Sequence, residues 1–183
     1  VFSTRSPACV KNASRDASLG VPRCTDGKFY CDSGTLLDGR AGLGPEAHAP
    51  NTLRSTCADG TAGAYHVDPS LDAVRVYSAD ATPLAAGLRV VAEVDVFASD
   101  AWAGEAVDLH VTGDALAASP VWRHVATVSP AAPGRQTLAG ELDLGAGSVQ
   151  AVRASFRSAG AIPETCSAGV TDDHDDLAFD VGP

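Results

Sequence analysis

Apolar and polar residues alternate in short segments through the last two thirds of the chain. In the clearest segment, residues 88–97, the even positions are apolar and share one face, whereas Glu93 and Asp95 fall on the other. Because successive side chains of a strand point to opposite faces, this alternation predicts a strand with one buried and one wet face. Residues 107–112 repeat the pattern.

Similar segments recur between stretches rich in Gly, Pro, Asp and Ser, and no segment has the apolar spacing of a helix. Seven candidate strands follow residue 51, at 72–77, 88–97, 107–112, 121–128, 138–144, 150–156 and 177–181, with shorter ones expected at 29–31 and 64–67. The predicted fold is all-β, a two-sheet antiparallel β-sandwich or jelly roll with little helix. Ten residues are expected to share one core: Val90, Val94, Val96, Leu109, Val111, Leu142, Val152, Phe156, Leu177 and Phe179.

The length of 183 residues fits one domain that can bury a two-layer core. We interpret residues 1–30 as an N-terminal cysteine-containing extension and residues 31–183 as the sandwich domain. The sequence begins at Val1 without a Met or an apolar leader, so we expect a mature product or a piece of a longer precursor.

The balance of charge argues against two classes of partner. Thirteen Lys and Arg against 23 Asp and Glu give a formal charge of -10, which repels polyphosphate and anionic lipid. The apolar runs are also too short to span a bilayer. We therefore expect no nucleic-acid partner and no membrane insertion.

Five scattered cysteines, with no C-x-x-C pair, favour disulfides and a secreted, extracellular protein. Asp26 and Gly27 favour a tight reversal between Cys24 and Cys31, which makes that pair one candidate disulfide. Other pairings stay open, and an odd cysteine is left without a partner in the chain.

The densest polar cluster precedes the last predicted strand, where Asp172, Asp173, Asp175 and Asp176 place four carboxylates in five residues. Such a loop is most stable when a cation neutralises it, and hard oxygen ligands suit calcium better than zinc or magnesium. The spacing is not that of an EF-hand. The alternative is a solvated acidic turn.

Calcium takes about six to eight oxygen ligands, so the loop needs further residues. The first and last strands of a jelly roll commonly lie side by side, which makes acids before or early in the sheets plausible partners. We select Asp72 and Asp32 as metal ligands. The other candidates are Asp38, Glu46 and Asp68.

No catalytic motif is recognisable: there is no G-x-S-x-G elbow, H-E-x-x-H, P-loop or G-x-G-x-x-G. We therefore predict a protein that is not an enzyme, although a carboxylate pair for glycoside hydrolysis is not excluded in a chain with 23 acids. Trp102, in a turn, is the aromatic residue selected for ligand binding.

Five segments carry a resemblance to a known family: CDSG at 31–34, PNTL at 50–53, CADGTAGAYH at 57–66, QAVRASFR at 150–157 and DDHDDL at 172–177. Together they resemble a C-terminal accessory β-sandwich domain of large secreted proteins, often proteases, of myxobacteria and related organisms. The resemblance implies a non-catalytic module that binds calcium, stabilises a precursor or holds an enzyme near its substrate. It also implies a Cys57–Cys166 disulfide, because both cysteines flank the matching segments. Residues 1–30 have no counterpart in it.

Our leading hypothesis is a non-catalytic, extracellular, calcium-stabilised module with an adhesive or targeting role. Its expected partners are an extracellular glycan or protein surface, copies of itself or a parent protease domain. A structural subunit of an extracellular assembly or filament is the alternative, favoured by the odd cysteine. A secreted hydrolase is the weaker alternative.

Overall fold

The computed structural model describes residues 11–26, 28–40, 44–158 and 163–183. Its strands are β1 (Lys11–Asn12), β2 (Ser14–Asp16), β3 (Val21–Cys24), β4 (Tyr30–Asp32), β5 (Ser70–Tyr77), β6 (Arg89–Ala98), β7 (Glu105–Thr112), β8 (Arg123–Val128), β9 (Gly134–Asp143), β10 (Val149–Ser158) and β11 (Asp173–Asp180). Helical structure within the described residues is limited to the short 3-10 turns Leu53–Ser55 and Trp102–Gly104. No described helix is long and apolar enough to cross a membrane.

The strands form two packed sheets. The five-stranded sheet has the order β1-β4-β5-β6-β9, and the six-stranded sheet has the order β2-β3-β11-β10-β7-β8. Most neighbours are antiparallel, whereas β1 with β4 and β3 with β11 are parallel. The predicted all-β, two-sheet sandwich is confirmed, and strands occupy all seven segments predicted after residue 51.

The core lies between the sheets and follows the alternation read from the sequence. All ten residues predicted to share a core belong to one buried cluster. Along β6, Val90, Ala92, Val94 and Val96 are at most 1% exposed, while the residues that alternate with them are half-buried on the other face. The apolar period of two therefore fixed which face of each central strand packs inward.

Two sequence predictions about strand position were wrong. Residues 64–67 form a turn, in which Val67 N–H donates to the Ala64 carbonyl at 3.0 Å and His66 has a left-handed φ of 54°. The last strand begins at Asp173, so the acidic residues predicted as a loop lie largely within β11. Aspartate is disfavoured in strands, and the pairing of β11 with β10 and β3 overrides that preference here.

The described part of the segment 1–30 is built into the sandwich. β3 pairs in parallel with β11, joining Ala178 to Arg23 and Phe179 to Cys24, and β2 pairs with β3. Residues 11–26 therefore contribute strands to both sheets.

Two disulfides join distant parts of the fold. Cys24–Cys31, with Cα atoms 5.8 Å apart, links β3 of one sheet to β4 of the other. Cys57–Cys166, with Cα atoms 5.5 Å apart, links the long β4–β5 connection to the segment before β11. Both are pairings predicted from the sequence. Cys9 lies outside the described residues.

Candidate metal centre

Strand β11 sorts its acidic residues onto two faces. Leu177 and Phe179 lie in the core between the sheets, so the strand period of two sends Asp173 and Asp175 to the same inner side. Asp176 falls on the opposite face. Both inner aspartates are only 1% exposed, so the strand carries two carboxylates into the end of the sandwich interior.

Two acids from the β4–β5 connection meet the inner aspartates. Carboxylate oxygens of Glu46, Asp59 and Asp173 all lie within 4.8 Å of one another. Asp175 interacts electrostatically with all three of them. We refer to Glu46, Asp59, Asp173 and Asp175 as the acidic cluster.

In three members of the acidic cluster, one carboxylate oxygen is anchored by a nitrogen donor. Leu71 N–H donates to Asp173 Oδ2 at 2.7 Å, and His174 N–H donates to Asp59 Oδ1 at 3.0 Å. The Asn51 side-chain amide donates to Glu46 Oε1. These bonds fix the direction of each carboxylate before any ligand arrives.

The remaining oxygens of the acidic cluster are buried and have no hydrogen-bond partner among the described residues. They are Glu46 Oε2, Asp59 Oδ2, Asp173 Oδ1 and both oxygens of Asp175. Buried polar atoms in native proteins are nearly always paired, so five unpaired oxygens in one cluster require a ligand or protons.

Two glycines allow the loop acids to reach the cluster. A Cβ on Gly39, whose φ is 139°, would lie 2.4 Å from the Glu46 backbone nitrogen. A Cβ on Gly60, next to Asp59, would lie 2.3 Å from the Val170 carbonyl oxygen. A side chain at either position would push the connection away from β11.

Burial and mutual repulsion both oppose ionisation of the acidic cluster. Burial raises the pKa of Glu46 and of Asp59 to about 7. It raises the pKa of Asp173 and of Asp175 well above the ordinary range. Repulsion from neighbouring carboxylates adds to the increase for Glu46, Asp173 and Asp175.

One buried guanidinium lies near these acids without neutralising them. Arg40 is 1% exposed, and its terminal nitrogens donate to the backbone carbonyls of Pro69, Thr171 and Ala62. Its charge lowers the pKa of three cluster members. One positive charge against four carboxylates leaves a deficit that a divalent cation would reduce.

In metal-free protein, we expect stability to fall as the pH rises from about 6.5 to 8. Cluster carboxyls with raised pKa values hold protons in the folded state that the unfolded chain has released, so their contribution is present below the unfolded pKa and is lost as the pH rises through the folded pKa. The contribution of His110 and His174 to stability has the opposite pH dependence, because burial lowers their pKa values to about 4. Their contribution is complete above about pH 6.5.

The measurement is the thermal unfolding midpoint in excess chelator between about pH 6.5 and 8. A midpoint that stays level or rises across this range would contradict the raised pKa values. Saturating calcium should flatten the slope, because a bound cation keeps the carboxylates ionised throughout.

The chemistry of the donors distinguishes among metals. Every member of the acidic cluster offers oxygen, the ligand type of calcium and magnesium, and magnesium retains several waters rather than filling a site made of protein oxygens. A nearby group of Cys57, Cys166 and His174 has zinc-type donors, but its two sulfurs form a disulfide. The donors of the acidic cluster are therefore all oxygens, the ligand type of hard cations.

The other sequence-predicted ligands lie outside the acidic cluster. Asp172 accepts the Gly169 N–H at 2.8 Å and closes a turn, and Asp176 forms a buried ion pair with Arg153. Asp72 accepts bonds from Ser70 and His66, and Asp32 accepts the Gly34 N–H and the Arg75 guanidinium. The carboxylates of Asp72 and Asp32 are therefore already hydrogen-bonded to neighbouring residues. Both aspartates line a cleft on the five-stranded sheet.

Asp59 was missed by sequence reasoning, whereas Glu46 was among its further candidates. A usable signal was present, because Asp59 lies two positions after Cys57 and the predicted Cys57–Cys166 disulfide brings that segment to the approach to β11. Hydrogen bonds continue the contact, with Gly60 N–H donating to the Asp172 carbonyl at 2.7 Å. A disulfide prediction thus carries information about ligands as well as about connectivity.

Trp102, selected from the sequence for ligand binding, lies in the second 3-10 turn. Its side chain is half-buried and packs against the main core cluster. The ring therefore contributes to packing of the core.

A serine, a histidine and an aspartate line up beside the acidic cluster. Ser167 Oγ lies 3.0 Å from His174 Nε2, and His174 Nδ1 lies 3.9 Å from Asp59 Oδ1. The first distance allows a hydrogen bond and the second exceeds one. These are the residue types of a nucleophilic hydrolase, with the orienting bond of the triad not formed.

Comparisons with known proteins add no identity to this geometry. No model of a known protein family matches the chain, and no curated protein matches its sequence.

Proposed function

We propose that this chain is a non-catalytic, extracellular β-sandwich module that calcium stabilises and that serves an adhesive or targeting role. The observation that carries the metal assignment is the acidic cluster, with five buried carboxylate oxygens lacking a partner among the described residues. The two disulfides are compatible with an oxidising, extracellular compartment.

The proposed cation would act as a crosslink. Glu46 and Asp59 belong to the connection between β4 and β5, whereas Asp173 and Asp175 belong to β11. A calcium ion bound by all four would tie this connection to the central part of the six-stranded sheet. Waters would complete the coordination of about six to eight oxygens.

Calcium should stabilise the fold of the wild-type protein. If it binds only the folded state, a concentration of about 100 times its dissociation constant adds about 2.7 kcal/mol to the free energy of unfolding. The test is thermal unfolding of chelator-treated protein with calcium, with magnesium and with excess chelator. An unchanged midpoint in all three conditions would reject the metal site.

Asp175→Asn should have different effects on the unfolding midpoint without metal and with calcium. Without metal, the substitution removes a buried carboxylate whose oxygens lack partners among the described residues, so the midpoint should stay level or rise. With calcium, the substitution should remove most of the stabilisation. Asp100→Asn, which removes an exposed charge, is the matched control and should keep the full response to calcium. Equal responses in the two variants would contradict the site.

A secreted hydrolase is the second candidate function, on the single observation that Ser167 contacts His174. Burial lowers the pKa of His174 to about 4, so the imidazole is neutral and able to accept a proton. The 3.9 Å gap to Asp59 leaves its other nitrogen unanchored, and Asp59 belongs to the acidic cluster. We therefore rank the binding module first.

A further inference from the structure

The outer face of the five-stranded sheet carries a cleft that the metal centre does not use. Its volume is about 550 Å³, and its walls come from β4, β5, β6, β9 and the segment after β4. Ala73, which lies opposite Asp95 on the neighbouring strand, supplies a small side chain to the lining. A cleft of this volume falls within the range of small-molecule sites in proteins.

One wall of the cleft is a fixed ion-pair lattice. Arg75 donates to both oxygens of Asp95, and its Nε donates to Asp32 at 3.2 Å. Thr137 Oγ1 donates to Asp95 at 2.7 Å. These contacts hold carboxylate oxygens and guanidinium N–H groups side by side, a pairing of acceptors and donors that matches the hydroxyl groups of a sugar.

A second wall includes Asp38, Asp72 and Arg135, which are held by side chains of the turn that follows residue 64. His66 Nε2 lies 2.9 Å from Asp72 Oδ2, and its Nδ1 accepts from Arg135 at 3.2 Å. Tyr65 donates its hydroxyl proton to Asp38 at 2.5 Å. His66 keeps its left-handed φ of 54° under these contacts, the kind of backbone strain that surrounding structure maintains at functional sites.

Aromatic rings stack beside this wall. The Tyr65 and His66 rings are stacked with centroids 3.6 Å apart, and His66 stacks on Phe97 with centroids 4.9 Å apart. Tyr65 and Phe97 are half-buried, so part of each side chain remains accessible. A flat ring beside paired polar groups complements a sugar, which has an apolar face and a polar edge.

The charges of the cleft argue against ionic ligands. Asp32, Asp38, Asp72 and Asp95 exceed Arg75 and Arg135 by two negative charges, which disfavours an anion. Asp38, His66 and Asp72 have atoms within 4.8 Å of one another, as a metal site would require. Both nitrogens of His66 are already hydrogen-bonded, one of them to the cationic Arg135, so a second cation is disfavoured there.

We propose that this cleft binds a neutral saccharide, with Arg75, Asp95 and Arg135 hydrogen-bonding the hydroxyl groups. This assignment rests on the proposed binding role and names its ligand class. The acidic cluster lies on the inner side of the sandwich, so calcium supports the cleft by holding the fold and contributes no ligand to the sugar.

The test is affinity electrophoresis in native gels that contain xylan, galactomannan or hydroxyethylcellulose, with polygalacturonate as an anionic comparison. We expect at least one neutral polysaccharide to retard the protein and polygalacturonate to leave its mobility unchanged. Arg135→Ala and Asp95→Asn should each weaken the apparent affinity about tenfold or more, because each removes charge-assisted hydrogen bonds.

Arg89→Ala is the matched control, because it removes an exposed arginine that pairs with Asp143 at the other end of β6 and β9. Its affinity should stay within about twofold of wild type. Failure of every neutral polysaccharide to retard the protein, preferential retardation by polygalacturonate, or an equal loss in Arg89→Ala would overturn the assignment.

The polysaccharide test of the cleft and the calcium test of the metal site can succeed or fail independently. Retardation by a neutral polysaccharide in a protein whose unfolding midpoint ignores calcium would reject the metal centre and keep the cleft. Calcium stabilisation without retardation would reject the cleft and keep the metal centre. Unfolding midpoints of the variants identify any loss of binding that comes from unfolding.

Discussion

Asp176→Asn should lower the free energy of unfolding by about 3–5 kcal/mol, equally in calcium and in chelator. Arg153 Nε and a terminal nitrogen contact the two oxygens of Asp176 at 2.7 and 2.8 Å. The two side chains are 2% and 0% exposed. Removal of the carboxylate charge leaves a buried guanidinium without its counterion, which is far more costly than the loss of a surface pair.

The surroundings of this ion pair explain why nearby groups do not compensate. Asp176 Oδ2 also accepts the Leu53 N–H at 2.6 Å, and Trp122 packs with its ring centroid 4.5 Å from the Arg153 guanidinium carbon. These groups keep water out of the pair. Asp176 therefore joins β10 to β11 through an ion pair and holds residue 53 to β11 through a hydrogen bond, independently of the acidic cluster on the opposite face.

Asp180→Asn is the matched control on the same strand. Asp180 pairs with Arg23 at 2.7 Å, but its side chain is 28% exposed, and exposed pairs contribute about 0–1 kcal/mol. Chemical denaturation of both variants, with and without calcium, measures the difference. A loss for Asp176→Asn that appears only with calcium would make Asp176 a metal ligand and contradict the structure.

Phe156→Ala should cost about 3–5 kcal/mol, because it empties a large part of the core between the sheets. Phe156 is fully buried on β10, where it lies opposite Val107 of β7 and Asp173 of β11. The cost combines lost burial of the ring with the cavity that neighbouring strands cannot fill. Equilibrium denaturation with urea gives the value directly.

Val121→Ala provides the comparison for that substitution, since Val121 is 84% exposed and its truncation should change stability by less than about 0.5 kcal/mol. A cost below about 1 kcal/mol for Phe156→Ala would mean that β10 has been placed in the wrong register, because a shift of one residue turns every side chain to the other face.

The sequence was sufficient for the core because the central strands obey a simple alternation. Val90 to Val96 on β6 bury one face, and Val107 to Val111 on β7 supply the core side of a strand that is buried on both faces. A period of two identifies the core face of each strand without tertiary information. The same reasoning failed where polar groups occupy inward positions. Asp173 and Asp175 read as loop residues, since nothing local indicates that partners elsewhere make a buried carboxylate tolerable.

The acidic cluster was only partly predictable from the sequence, for the same reason. Its two strand residues, Asp173 and Asp175, stand two positions apart in a conspicuous acidic run, and that run indicates them. Glu46 and Asp59 reach the site through the path of an irregular connection, fixed by close backbone approaches at Gly39 and Gly60 and by the Cys57–Cys166 disulfide. The conformation of such a connection depends on tertiary contacts that no residue pattern encodes.

If calcium binds the acidic cluster as proposed, it would protect the connection between β4 and β5 from proteolysis. From Asp32 to Ser70, the described residues contain a single 3-10 turn and otherwise irregular backbone, the type of segment that proteases cut when it opens. Binding at Glu46 and Asp59 would close this segment onto β11. A module released into a protease-rich medium would then survive in proportion to the calcium around it, and its lifetime would report the ion concentration outside the cell.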